Sequence, residues 1–137
     1  MPPKLSKSEA IASIRREHPA LKLESNTTHF ASINAGKDVW WFDIPCKKVI
    51  AGHHAVLDIL VHDHRSNELH HLVVPTQYFR DNFSKLVVRK DKDTISLELS
   101  ASSSNFLRDI RPAGGQVAFA QFRQKYPNNP ANVPGAA

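Results

Sequence analysis

From Thr28 onward, the apolar residues of this 137-residue chain recur at every second position over several short segments. In the segment 94–99, for example, Ile95, Leu97 and Leu99 alternate with polar residues. Successive side chains of a strand point to opposite faces of a sheet, so this alternation is typical of β-strands with one buried face. The middle of the chain is therefore predicted to form a sheet.

The turn residues between these segments predict three hairpins. The first joins 28–33 to 38–44, the second joins 55–62 to 69–74, and the third joins 86–89 to 94–99. In the second hairpin, Asn67 is the expected residue with positive φ. The strand 38–44 is largely apolar on both faces, which predicts a central position. Trp41 shares its face with Asp43, so we expect one face of the sheet to be partly open.

Two helices are predicted beside the sheet. Ser6 and Glu9 form a capping box at the start of a helix over residues 6–18. Phe79 and Phe83 stand four residues apart in a second helix over residues 76–85, where both are expected to face the core. The predicted fold is one α+β domain over residues 1–126, with a mainly antiparallel sheet of about five to seven strands and two or three helices. Residues 127–137 are expected to form a disordered tail.

Hydropathy and cysteine content indicate a cellular location. No run reaches the roughly 18 to 20 apolar residues that a membrane-spanning helix needs, and the first residues lack a secretory apolar stretch. The single cysteine, Cys46, cannot form an internal disulfide. We therefore expect a soluble, cytoplasmic protein that does not associate with a membrane.

The charge balance favours an acidic partner. Eighteen Lys and Arg residues against thirteen Asp and Glu residues give a net charge of +5 with neutral histidines. Aromatic residues also lie near basic ones, a combination that suits contacts with phosphates and bases. The sequence predicts a small accessory protein without enzymatic activity or cofactor that binds nucleic acid, DNA or RNA. The predicted contacts are Lys47, Lys48, Arg65, Arg80, Arg108, Arg111 and Trp41.

A metal site is one alternative to this interpretation. Six of the eight histidines lie between His53 and His71. If the strand continues through the turn, His62, His64 and His70 are the candidate ligands. Adjacent histidines on a strand point to opposite faces, and no paired metal-binding motif accompanies them. We therefore favour surface histidines on and around a hairpin over a metal centre.

A metal-dependent hydrolase is the alternative from another functional class. The order of helix, mainly antiparallel sheet and helix is compatible with the restriction-endonuclease-like core. That core needs two acidic groups and a lysine around magnesium. Asp58, Glu68 and His70 are the candidates, with Glu17 as a further acid, but the lysine is missing. An active or degenerate nuclease and a protein-interaction module, which could dimerise through a hairpin edge, therefore both remain open.

Overall fold

The structure is a computed structural model that describes residues 4–111 and 117–125. Within these ranges there are two α-helices, α1 (Lys7–Glu17) and α2 (Thr76–Asp81). The strands are β1 (Thr28–Ser32), β2 (Val39–Pro45), β3 (Val56–Asp63), β4 (Glu68–Pro75), β5 (Val87–Arg89) and β6 (Thr94–Ser100). Neither helix is long and apolar enough to cross a membrane.

The first helix begins at the predicted capping box. The Ser6 Oγ atom accepts a hydrogen bond from the Glu9 backbone N–H, and the Glu9 Oε1 atom accepts one from the Ser6 backbone N–H at 2.9 Å. These bonds satisfy N–H groups that have no partner inside the helix. The helix therefore starts at Lys7, one residue after the predicted beginning.

Replacing Ser6 by alanine is expected to lower the free energy of unfolding by about 1 kcal/mol, because the cap acceptor is lost. Urea denaturation followed by circular dichroism measures this change. Ser8→Ala is the matched control, since Ser8 is exposed inside the same helix and is not the cap. Equal stabilities for the Ser6 variant and the control would contradict the capping role.

The six strands form two sheets of three strands each. In the first sheet the order is β1-β3-β4, with β1 parallel to β3 and β3 antiparallel to β4. In the second sheet the order is β2-β6-β5, and all pairs are antiparallel. The α+β class is therefore confirmed, whereas the single sheet of about five to seven strands is wrong.

One apolar core fills the space between the two sheets. Trp40 and Phe42 enter it from β2, Leu57 and Ile59 from β3, and Leu97 from β6. A second cluster lies on the opposite face of the first sheet, where Ile11 and Ile14 of α1 pack on Leu60. The order of layers is therefore α1, first sheet, second sheet.

The second and third predicted hairpins are confirmed as β3–β4 and β5–β6. Asn67 has a φ of 58°, as the turn composition predicted. The first predicted hairpin is wrong, because β1 pairs with β3 and β2 pairs with β6. An isolated bridge between Asn34 and Val39 links the end of one segment to the start of the other. The chain passes from one sheet to the other at this turn, so that both strands bury residues in the shared core.

Two further expectations are corrected. Strand β2 lies at one end of the β2-β6-β5 order and is not central, although the predicted open face of the sheet is present at Trp41. The second helix ends at Asp81, and a 3-10 turn follows at Phe83–Lys85. Phe79 is fully buried, but Phe83 is 41% exposed because the helix no longer continues to it. The predicted tail, residues 127–137, lies outside the described residues, and the domain boundary stays a prediction.

Candidate nucleic-acid interface

Two lysines from distant parts of the chain, Lys7 and Lys48, contact the 3-10 turn Ser25–Thr27, and Lys47 is the neighbour of Lys48. Lys7 stands at the start of α1, and its Nζ atom donates to the Ser25 carbonyl at 2.6 Å. Lys47 and Lys48 lie in the 3-10 turn Cys46–Val49 that follows β2, and the Lys48 Nζ atom donates to the Asn26 carbonyl. The start of α1 and the turn after β2 therefore place positive charges beside the turn Ser25–Thr27.

The positive charge of these lysines is not neutralised by ion pairs. Among residues 4–111 and 117–125, no carboxylate oxygen lies within 4 Å of the Lys7, Lys47 or Lys48 ammonium. Burial, together with the charges of Lys7 and Lys47, lowers the pKa of Lys48. Repulsion between like charges disfavours the charged form, so the cluster is a site at which an anion would relieve unfavourable electrostatics.

His29 lies close to the same lysines. Burial, followed by the charges of Lys48 and Lys7, lowers the pKa of His29 to about 4. The imidazole is therefore neutral at pH 7, and its Nε2 atom is buried without a hydrogen-bond partner. His29 therefore adds no positive charge to the cluster at neutral pH.

A groove of about 500 Å³ runs along α1 beside the lysines. It is lined by Ser8, Ile11, Ala12, Arg15, Arg16 and Ser25. Ser25 joins the groove to the lysine cluster, because Lys7 donates to its carbonyl. One guanidinium nitrogen of Arg15 donates to the Leu23 carbonyl, and Arg16 is exposed. We call this groove together with Lys7, Lys47 and Lys48 the basic groove.

The acidic residues nearest in sequence to the basic groove reduce its positive electrostatic potential only in part. Glu9 is engaged with Ser6 in the capping box. Glu24 is exposed beside Ser25 in sequence but forms no ion pair with the lysines, within the part of the chain that the structure describes. Cations therefore outnumber carboxylates around the basic groove.

The other predicted phosphate contacts are dispersed and mostly engaged. Arg65 bonds Asp38 at 2.7 Å and Asp63 at 2.8 Å, and these carboxylates raise its pKa. Arg80 donates to the Val49 carbonyl at 2.9 Å. Arg108 is exposed on a segment that bridges to Ala118. Only Lys47 and Lys48 of the predicted cations lie together in the basic groove.

Trp41 and Arg111 meet elsewhere, on the outer face of the second sheet. The Ser96 Oγ atom accepts hydrogen bonds from Trp41 Nε1 at 3.0 Å and from Arg111 Nη2 at 2.7 Å. Arg111 Nη1 also lies 3.7 Å from Glu98. Sequence reasoning identified Trp41 as partly open but could not place Arg111 beside it, because the contact crosses the strand β6.

The alternative catalytic residues are not brought together. Asp58 lies on the face of the first sheet that α1 covers, because it is two residues from Leu60 along β3 and so shares its face. Glu68 and His70 lie on the opposite face, since His70 pairs with Val61 and packs against Trp40 at a ring distance of 5.8 Å. The Asp58 carboxylate instead contacts His71 Nε2 at 2.7 Å. This pair spans the β3–β4 hairpin, whose two strands the turn composition predicted to lie side by side.

The alternative metal ligands are likewise separated. His62 Nε2 contacts the Asn67 side chain at 3.0 Å on the α1 side of the first sheet, while His70 lies on the core side. His64 is buried in the turn that follows β3. The expectation of surface histidines is wrong for His62, His64, His70 and His71, because their strands and turn lie between α1 and the core and bury all four. No group of three or more His, Cys, Asp or Glu side chains suited to a metal ion occurs among the described residues.

Comparison with protein-family models, with curated proteins and with solved structures found no match to this chain.

Proposed function

We propose that the protein binds nucleic acid through the basic groove and acts as a binding protein. The observation that carries this proposal is the convergence of Lys7, Lys47 and Lys48 with no carboxylate within 4 Å of their ammonium groups, among the residues described. Lysines that neutralise phosphates release condensed counterions, which favours binding and makes it depend on salt. The net charge of +5 supports association with a polyanion.

The groove along α1 supports the same function. Its volume of about 500 Å³ provides a concave surface in which Arg15 and Arg16 can contact phosphates next to those held by the lysines. The hydroxyls of Ser8 and Ser25 are further donors at its rim. The groove therefore offers several phosphate contacts in series, as an extended polyanion requires.

Charge removal from the groove is expected to weaken binding at least about tenfold. Fluorescence anisotropy with labelled DNA and RNA, at two salt concentrations, compares the wild-type protein with the triple variant Lys7→Gln, Lys47→Gln, Lys48→Gln. Because each lost phosphate contact removes about 0.7 to 0.9 from the salt slope, the slope should fall by about 2 to 3 in magnitude.

The matched control is the triple variant Lys85→Gln, Lys90→Gln, Lys92→Gln. These lysines are exposed, lie around β5 and the turn after it, and change the net charge by the same amount. The control should keep most of the affinity. Equal losses in both variants would mean that net charge alone drives binding, and wild-type protein that binds neither nucleic acid in a salt-dependent way would remove the proposal.

A further inference from the structure

The second sheet presents one large aromatic side chain to solvent. Trp41 is 55% exposed on the outer face of β2, whereas its neighbour Trp40 is 1% exposed in the core between the sheets. The two indoles therefore differ because adjacent strand residues point to opposite faces. The exposed indole offers a flat apolar surface on which another ring can stack.

Hydrogen bonds hold the exposed ring in one orientation. Ser96 is fully buried, and its Oγ atom accepts from both the Trp41 indole N–H and the Arg111 guanidinium. A hydroxyl oxygen has two acceptor lone pairs, so these two bonds use its full accepting capacity. Trp41 is thus a fixed platform with a guanidinium bound to the same hydroxyl.

Cations line the cleft next to the platform. The cleft has a volume of about 170 Å³ and is lined by Asn34, Lys37, Val39, Trp41, Glu98 and Arg111. Its single carboxylate, Glu98, already lies 3.7 Å from Arg111 Nη1. Lys37 has no carboxylate within 4 Å of its ammonium among the described residues. The lining therefore carries a net positive charge that complements a phosphate.

We propose that Trp41 stacks on an unpaired base of the bound nucleic acid, while Lys37 and Arg111 contact the adjacent phosphates. This inference rests on the proposed function and adds that the ligand is single-stranded. The bases of a duplex are already stacked on each other, so the Trp41 face cannot reach them without opening the helix. An aromatic platform beside cations is the arrangement by which single strands are bound without sequence preference.

The positions of the two sites also favour a single strand. The α1 part of the basic groove lies on the α1 layer and the Trp41 cleft on the outer face of the second sheet, while Lys47 and Lys48 follow β2, the strand that carries Trp41. Packed layers are about 10 Å apart, so roughly 20 Å separates the α1 part of the basic groove from the Trp41 cleft. Bending a duplex around the protein has an energetic cost, because a duplex is stiff over about 150 base pairs, whereas a flexible single strand can contact both sites without that cost.

The test compares two oligomers with the same number of phosphates. One is a thymidine oligomer of about 20 nucleotides, and the other is an abasic oligomer of the same length, which has no ring to stack. Wild-type protein should bind the thymidine oligomer about 5- to 150-fold more tightly, the range that one stacked base provides. Trp41→Ala should bind both equally, and Phe83→Ala, which removes another exposed aromatic ring, should keep the preference.

The outcomes separate this inference from the proposed function. Equal, salt-dependent binding of both oligomers by the wild-type protein would overturn stacking and leave the basic groove in place. Absence of salt-dependent binding to either oligomer would overturn the inference, and the proposed function would also fail if duplex DNA and RNA showed no such binding. A further measurement is acrylamide quenching of Trp41 fluorescence without oligomer, at rising protein concentration. The quenching should stay constant. If Trp41 became progressively protected, the face would bind a second copy of the chain and the inference would be overturned.

Discussion

Replacing Phe79 by alanine is expected to lower the free energy of unfolding by about 3 to 5 kcal/mol. Phe79 is fully buried in the core between the sheets, and its ring centre lies 5.7 Å from that of Phe119. The loss combines the transfer of the ring to water with the cavity that remains, since packed interiors relax only in part. Urea denaturation followed by tryptophan fluorescence measures it.

Phe83→Ala is the matched control for this prediction. Phe83 belongs to the 3-10 turn after α2 and is 41% exposed, so its removal should change stability by no more than about 0.5 kcal/mol. If Phe79→Ala does not fold, Phe79→Leu provides a smaller loss that can still be measured. Similar losses for both phenylalanine-to-alanine variants would contradict the end of α2 at Asp81.

His70 is expected to make the protein sensitive to acid. Burial, followed by the charge of Arg123, lowers the pKa of His70 from 6.5 to about 4. Below pH 6.5 the unfolded chain therefore binds a proton that the folded chain does not, so stability falls as the pH falls from about 6.5 to about 4. The free energy of unfolding should lose about 3 kcal/mol through this residue alone.

The variant His70→Phe should lack this part of the acid sensitivity. Phenylalanine keeps the ring that packs edge-on against Trp40 and Phe106 at 5.8 and 5.2 Å but cannot gain a proton. Denaturation at several values between pH 7 and pH 4 should show a shallower decline for the variant than for the wild-type protein. His53→Phe, at an exposed histidine, should follow the wild-type curve, and an unchanged curve for His70→Phe would refute the assignment.

The candidate site was only partly predictable from the sequence. Lys47 and Lys48 were identified because they are adjacent and follow a strand, and Trp41 because it shares a strand face with a polar residue. Lys7 was missed as a partner of Lys48, because 41 positions separate them and only the packing of α1 on the first sheet brings them to the same turn. The engagement of Arg65 with Asp38 depends in the same way on contacts between distant segments.

Local patterns in the chain determined which segments are helix and strand, where α1 begins, and which turns close the β3–β4 and β5–β6 hairpins. These features depend on capping, alternation and turn chemistry within a few residues. The tertiary structure alone decided that the strands divide into two sheets, that β1 pairs with β3, and that the cations gather beside Ser25. The pairing of strands and the position of the cations depend on which faces of the strands and of α1 are buried in a shared core. Residues far apart in sequence form that core together, so no local pattern determines it.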